Sequence, residues 1–161
     1  MAKPDGADEQ IEITRLRVGD AGEVMTVQRA AFVSEAQIYG SPDTPPLTQT
    51  LEEVRAELAA GDGFAARLGG RLVGAIRFRE SDDLLLVGRI AIAPDMQGNG
   101  IGRALLEAAE QASSAPAAEL FTGSLSAANI RLYESCGYEV SERVPYDDGT
   151  QQIFLRKLLS R

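Results

Sequence analysis

The residues best suited to chemistry in this 161-residue chain lie between Arg89 and Arg103. There the apolar run Ile90-Ala91-Ile92-Ala93 is stopped by Pro94-Asp95 and followed, after Met96, by Gln97-Gly98-Asn99-Gly100-Ile101-Gly102-Arg103. Three glycines in five positions lead directly into a stretch in which Ile101, Leu105, Ala108, Ala109 and Ala112 recur at helical spacing. A buried strand that turns through glycines into a helix aims backbone N–H groups into one concavity at the positive end of the helix dipole. The missing Cβ atoms let an anion come close. The expectation is a phosphate cradle. A nucleoside-triphosphate loop is excluded, because Arg103 and Ala104 follow Gly102 where Lys and Ser or Thr are required. A dinucleotide fingerprint asks for G-x-G-x-x-G after the first strand; here the glycines alternate, Arg103 takes the third glycine's place, and about three strands come earlier.

What the chain lacks bounds the remaining chemistry. It contains no histidine, which removes Ser-His-Asp and Cys-His nucleophiles, the usual zinc sites and any imidazole base. Proton transfer falls to carboxylates, tyrosine, backbone groups or water, and no metal is expected. Cys136 is the single cysteine; it makes no intramolecular disulfide and reads as a structural thiol at a helix end, as in a reducing, cytoplasmic protein. Sixteen Lys plus Arg against twenty-four Asp plus Glu, a formal charge of −8, speak against nucleic acid and against an anionic membrane surface as partners. No window approaches the run of about 18 apolar residues that a membrane-spanning helix needs. Residues 1–10 read as a frayed leader without signal or anchor character, and 11–161 as one domain.

The elements that must position the cradle follow from periodicity. Ile11 to Val18 approximates a strand, and Ala21 to about Val33 a helix. Tyr39 to Thr50, with Pro42, Pro45 and Pro46, reads as a long binding loop. Thr50 and Glu53 have capping-box spacing for a short helix stopped by Gly61. Gly63 to Leu68 and Arg71 to Arg79 form a hairpin through Gly69-Gly70, and Leu84 to Ala93 reads as a central strand covered on both faces. Ile101 to about Ser113 is helical, Ala118 to Thr122 a strand and Ser126 to Ser135 a helix. Tyr138 to Val144 pairs with Gln151 to Leu159 around Asp147-Asp148-Gly149. The expected order is β-α-α-β-β-β-α-β-α-β-β, a mixed α/β domain of α+β type.

Gln97, Gly100 and Gly102 satisfy the pattern Q/R-x-x-G-x-G/A, and the cluster resembles the acyl-CoA pyrophosphate loop of the GNAT superfamily of N-acyltransferases. A second match, Ala128-Asn129-Ile130-Arg131-Leu132-Tyr133-Glu134-Ser135-Cys136-Gly137-Tyr138, is similar to that family's closing helix, and the element order agrees over about residues 11 to 159. The resemblance implies a GNAT-like fold and an N-acetyltransferase that moves an acetyl group from acetyl-CoA to a primary amine of a small molecule or peptide. Carried over, Gln97, Gly98, Asn99, Gly100, Ile101, Gly102 and Arg103 would hold the CoA pyrophosphate. Ile90, Ala91 and Ile92 would pair with the pantetheine arm, and an N–H at or near Ile92 would face the oxyanion. Tyr133 would protonate the departing thiolate, a task that suits a phenol with an ordinary pKa of about 10.

Two departures from the family pattern stand out. Ser126 occupies the position of a common asparagine and reads as a helix N-cap, while Asn129, one turn before Tyr133, shares its face and is a further cofactor-binding candidate. Leu84 to Ala93 carries no carboxylate, so the general base is one of Glu80, Asp82, Asp83, Glu119 and Glu35, or water alone. Glu35, Tyr39, Asp43, Tyr146, Asp147 and Asp148 fall on the expected acceptor side and suit a cationic amine, although Asp147 and Asp148 also read as plain turn residues. Homodimers are common in such domains, and the sequence marks no seam for one. A catalytically silent acyl-CoA-binding regulatory module is the alternative.

Overall fold

The computed structural model describes residues 10–160. The expected leader therefore lies outside the described residues, apart from Gln10. Seven strands, β1 (Glu12–Arg15), β2 (Asp62–Leu68), β3 (Arg71–Ser81), β4 (Leu84–Ile92), β5 (Ala117–Gly123), β6 (Glu139–Pro145) and β7 (Gln151–Leu158), form one mixed sheet in the order β1-β2-β3-β4-β5-β7-β6. The helices are α1 (Ala21–Tyr39), α2 (Pro45–Thr48), α3 (Leu51–Ala60), α4 (Ile101–Ala112) and α5 (Ala127–Ser135). This is the expected mixed α/β domain with one helix added.

Local chemistry explains most boundaries. Thr50 Oγ1 accepts from Glu53 N while the Glu53 carboxylate accepts from Thr50 N, which starts α3, and Gly61 ends it. The apolar stripe of α4 buries Ile101, Leu105, Leu106 and Ala109 on one face of the sheet. Gly74 of β3 marks that face, since a Cβ there would meet Ile101 Cγ2 at 3.1 Å. Arg77, three residues on, points to the other face, where it contacts Gln28 of α1 and Glu57 of α3. The core thus lies between the sheet and helices on both sides.

Four expectations need correction. Helix α1 runs on to Tyr39, because no Gly or Pro lies between Val33 and Gly40, whose φ of 72° ends the helix. The 39–50 segment holds a helical turn, with Pro45 and Pro46 in the first two positions, where a missing N–H is harmless. β1 stops at Arg15, and Val18–Asp20 form a single 3-10 turn. Strand β4 is covered unevenly rather than throughout: Leu85 and Val87 are buried on the α4 side with Phe78, and Ala91, which opposes Ala75, is buried on the other side, while Leu84 and Leu86 are half-buried and Gly88 is exposed.

Strand β4 also departs from regular pairing on both edges. Toward β3, Phe78 opposes Val87 and Ile76 opposes Ile90, so Arg77 alone faces Gly88 and Arg89, a β-bulge in β4. Gly88 suits the bulge, since a Cβ would sit 3.0 Å from the Arg77 carbonyl oxygen. Toward β5 the parallel pairing covers only Leu84 with Ala117, Leu85 with Ala118 and Leu86 with Glu119. Beyond that point the two strands are unpaired, and the sheet opens as a wedge.

Candidate active site in the sheet wedge

The hydrogen-bond phase of the strands determines what lines the wedge. Ala93 N donates to Val73 O at 2.8 Å, so Ala93 and, by alternation, Ala91 direct their peptide groups to β3. Ile90 and Ile92 direct theirs away from β3, into the wedge. On the opposite lip, Ser124 N donates to Gln151 O, which by the same alternation turns the peptide groups of Phe121 and Gly123 into the wedge. Apart from Gly123 O, which accepts from Ser126 N at 3.0 Å, and Ile92 O, which accepts from the Gln97 amide, these facing backbone groups have no partner among the described residues, a geometry that an extended amide chain can fill. Of the sequence-nominated strand residues, Ile90 and Ile92 present main chain to this space and Ala91 does not.

The glycine cluster sits at the C-terminal end of β4. A 3-10 turn over Pro94–Met96 leads to Gly98 and Gly100, at φ 81° and 80°, and Gly100 is the N-cap of α4. The side-chain amide of Gln97 donates to Ile92 O at 3.3 Å and that of Asn99 to Met96 O at 3.0 Å, tying the loop to the strand it leaves. The backbone N–H groups from Gln97 to Arg103 have no acceptor among the described residues, as an anion cradle at a helix N-terminus requires. The Arg103 guanidinium turns away to donate to Ser135 O and Oγ, at 3.2 and 3.0 Å. Gly102 is buried, and a Cβ there would stand 3.0 Å from Leu132 Cδ2 of α5.

Tyr133 lies on α5, 8% exposed, its ring edge-on to Tyr138 with centroids 6.4 Å apart. Its hydroxyl has no hydrogen-bond partner among the described residues, yet it is not sealed from solvent. Burial first, and the nearby Glu35 carboxylate and Cys136 second, hold its pKa well above the ordinary tyrosine range. The phenol is protonated across the physiological range and free to donate. Cys136 itself is half-buried and unpaired with any other cysteine.

The far end of α1 reaches this helix. Glu35 Oε2 accepts from Ser126 Oγ at 2.7 Å and Oε1 from Asn129 Nδ2 at 3.2 Å; Asn129 Nδ2 also lies 3.4 Å from Thr122 Oγ1. The Tyr39 hydroxyl is 2.7 Å from Ser126 Oγ and accepts from Leu125 N at 3.1 Å. Ser126 is the positional N-cap of α5, but its hydroxyl makes no cap bond because Glu35 and Tyr39 engage it. That corrects the simple capping role. Gly123 permits the approach of Tyr39, since a Cβ at 123 would lie 2.0 Å from the Tyr39 hydroxyl oxygen.

The other carboxylates nominated as bases lie elsewhere. Glu80 accepts from Ser113 Oγ and Ser114 N just past the end of α4, and Glu119 accepts from Arg156 Nε at 2.7 Å. Asp82 and Asp83 form the exposed β3–β4 turn, with Asp82 at φ 54°. On the β6–β7 turn Asp148 accepts from Thr150 N and Oγ1, and these bonds hold its pKa below the usual carboxylate range. Asp147 and Tyr146 beside it are exposed, as is Asp43, which donates its N–H to Ser41 Oγ.

Sequence reasoning missed a polar cluster on the opposite lip. Gln28, one of α1's buried residues, accepts from Arg77 Nη2 at 2.6 Å and donates to Gln49 Oε1 and Pro46 O. Gln49 Oε1 in turn accepts from Arg89 Nη1 at 2.5 Å. Arg77 also pairs with Glu57. The only sequence signal was Arg89, the one charge in an otherwise apolar strand. Gln28 and Glu35 are seven residues apart on α1, about 10 Å along its axis. The helix thus bridges the wedge, with an amide on the β4 lip and a carboxylate on the β5–α5 lip.

Comparison with known proteins agrees with this architecture. A family model described as "Acetyltransferase (GNAT) domain" matches residues 59–140. The UPF0157 protein YqkA of Bacillus subtilis (strain 168) is 28% identical over 130 residues, covering 80% of this chain and 37% of that protein, so the chain spans little more than a third of this relative's length. Among solved structures, the ribosomal-protein-S18-alanine N-acetyltransferase of Escherichia coli superposes with a TM-score of 0.73 at 22% identity, covering 94% of this chain and 96% of that one. The PaiA N-acetyltransferase of Thermoplasma acidophilum, in complex with coenzyme A, gives 0.75 at 18%, covering 92% and 99%. Matched over half its length by the family model and over nearly all of it by these folds, the chain belongs to the GNAT acetyltransferase family.

Proposed function

We propose that the protein transfers an acetyl group from acetyl-CoA directly to a primary amine within the wedge between β4 and β5. The observation that carries this reading is a set of unengaged hydrogen-bonding groups on neighbouring elements. It comprises the N–H groups of the 97–103 loop, the wedge-facing N–H of Ile92 and peptide groups of Ile90, and the free phenol of Tyr133, with Ile92 O alone taken up by the Gln97 amide. A ligand with a pyrophosphate at one end, amides in its arm and a thioester at the other end matches that set of donors and acceptors. The coenzyme A complex of the Thermoplasma acidophilum enzyme, with its similar fold, supports the same choice.

When bound, acetyl-CoA supplies an activated acyl group whose thiolate is a good leaving group. The chain's residues do the rest. The loop amides hold the pyrophosphate, and the N–H of Ile90 or Ile92 faces the carbonyl oxygen as charge develops on it. Tyr133 donates its proton to the departing sulfur. Glu35 takes up the proton released by the attacking amine, being the nominated carboxylate whose charge reaches Tyr133.

A CoA-release assay over a panel of amines, run beside calorimetry with acetyl-CoA, tests the reading. Saturable acetyl-CoA binding with amine-dependent CoA release is expected. Binding with no release across the panel would identify the silent acyl-CoA-binding module instead, and absence of binding would remove the thioester from the site.

A further inference from the structure

A groove of about 620 Å³ opens on the helix α1 and α3 side of the sheet, beginning where the β4–β5 pairing ends at Leu86 and Glu119. That volume suits a small molecule. Its floor is apolar on the β5–β7 side, where Phe121 and Phe154 lie with ring centroids 5.7 Å apart and Phe121 is 58% exposed. Its β3–β4 wall is cationic, formed by Arg77, Arg79 and Arg89.

Charge pairing within the groove is uneven. Glu119 is engaged by Arg156 at 2.7 Å, Asp62 lies 3.6 Å from Arg15, and Glu57 pairs with Arg77. Arg89 reaches Glu57 only at 3.8 Å, and its hydrogen bonds go to the neutral side-chain oxygens of Gln28 and Gln49. All of these contacts use Nη1. Nε and Nη2, the edge that grips a carboxylate with two parallel bonds, have no partner among the described residues and are not sealed from solvent. In a chain of net charge −8, this half-buried, amide-braced guanidinium beside exposed rings is a local reversal of sign. Arg89 is also bonded directly to Ile90, whose peptide faces the wedge.

We propose that the acceptor is a primary amine carrying a carboxylate beside an apolar body, the class of an aromatic α-amino acid. Arg89 grips the carboxylate, and Phe121 with Phe154 receives the side chain. The assignment rests on the acetyl-transfer reading above and narrows it. In an α-amino acid the amine stands two bonds from the carboxylate carbon, so a carboxylate held by Arg89 places the nucleophile beside Ile90. A cationic polyamine would bring a second positive charge against Arg77, Arg79 and Arg89, an arrangement that like charges disfavour.

The test compares CoA release with L-phenylalanine, its amide and 2-phenylethylamine as acceptors, for the full chain and for Arg89→Gln and Arg89→Lys. The acid is expected to exceed both uncharged relatives in kcat/KM by about tenfold or more. Arg89→Gln is expected to remove that preference through the KM of the acid, bringing the kcat/KM ratio of L-phenylalanine to 2-phenylethylamine to within about threefold of one. Arg89→Lys, which keeps the charge without the fork, should retain only part of it. The assignment is overturned if the amide or decarboxylated amine is preferred, if no carboxylate-bearing amine of a wider α-amino acid panel is acetylated, or if Arg89→Gln lowers all three acceptors equally. Absence of acetyl-CoA binding in the parallel calorimetry would instead refute the acetyl-transfer reading, and the acceptor assignment with it.

Discussion

Replacing Gly123 by alanine should reverse the sign of its effect according to what occupies position 39. In the native chain the new Cβ would stand 2.0 Å from the Tyr39 hydroxyl oxygen and 2.6 Å from Cζ. Non-bonded heavy atoms settle about 3.5 Å apart, so the end of the ring must withdraw by about 1.5 Å. That breaks its bonds to Ser126 Oγ and Leu125 N. At about 1 kcal/mol for each neutral hydrogen bond, Gly123→Ala costs about 2 kcal/mol. With Tyr39→Leu already present the obstructing atoms are gone. Gly123 has no left-handed φ, so alanine there stabilises by about 0.5 kcal/mol through the unfolded chain. The coupling is therefore about 2.5 kcal/mol, well outside the few tenths expected of independent sites. Urea unfolding of the four proteins, followed by circular dichroism, measures it. Additive effects within about 0.5 kcal/mol would refute the close approach of Tyr39 and with it the described anchoring of Ser126.

Other outcomes follow from the same geometry. Tyr133→Phe should lower kcat by about a hundredfold while leaving acetyl-CoA affinity unchanged in calorimetry, because only the proton-donating hydroxyl is lost and the ring stays; an unaltered kcat would remove it as the acid. Glu35→Gln keeps the acceptor oxygen for Ser126 but loses the charge and the proton acceptor, so kcat/KM should fall at neutral pH and recover partly as the amine substrate deprotonates at higher pH. A fall that is the same at every pH would show a purely structural role. The raised pKa values of Tyr133 and Tyr138 link stability to alkali: their contribution is complete below about pH 10, where unfolded tyrosine ionises, and drains away above it. Thermal melts between pH 8 and 12 should show a decline that Tyr138→Phe lessens, and an unchanged decline would place its origin elsewhere.

The sequence spoke most clearly where function and backbone geometry coincide. The capping box at Thr50 and Glu53, the Gly69-Gly70 hairpin and the α4 stripe each act within a few residues, and each appears as expected. The end of α1 was harder to place, because Val33 and Ile38 are exposed and leave the apolar periodicity silent over its last turns. The wedge could not be read from the β4 sequence, because a strand with one broken edge is still rich in Leu, Ile and Val. Glu35 stood among five carboxylates until Ser126 and Asn129, 91 and 94 residues away, singled it out. The Gln28, Gln49 and Arg89 cluster was invisible for the same reason: its members are joined only by the sheet and α1.

The three glycines of the cluster do different work. Gly98 and Gly100 shape the turn, while Gly102 lets α4 lean on Leu132, the residue immediately before Tyr133. The span from the glycine loop to the phenol is thus gauged by this contact together with the Arg103 bonds to Ser135, and exists before any ligand arrives. In the proposed binding mode, a thioester with a longer or shorter arm would have to pry α4 from α5 to register at both ends, which makes arm length a criterion set by the packing of two helices.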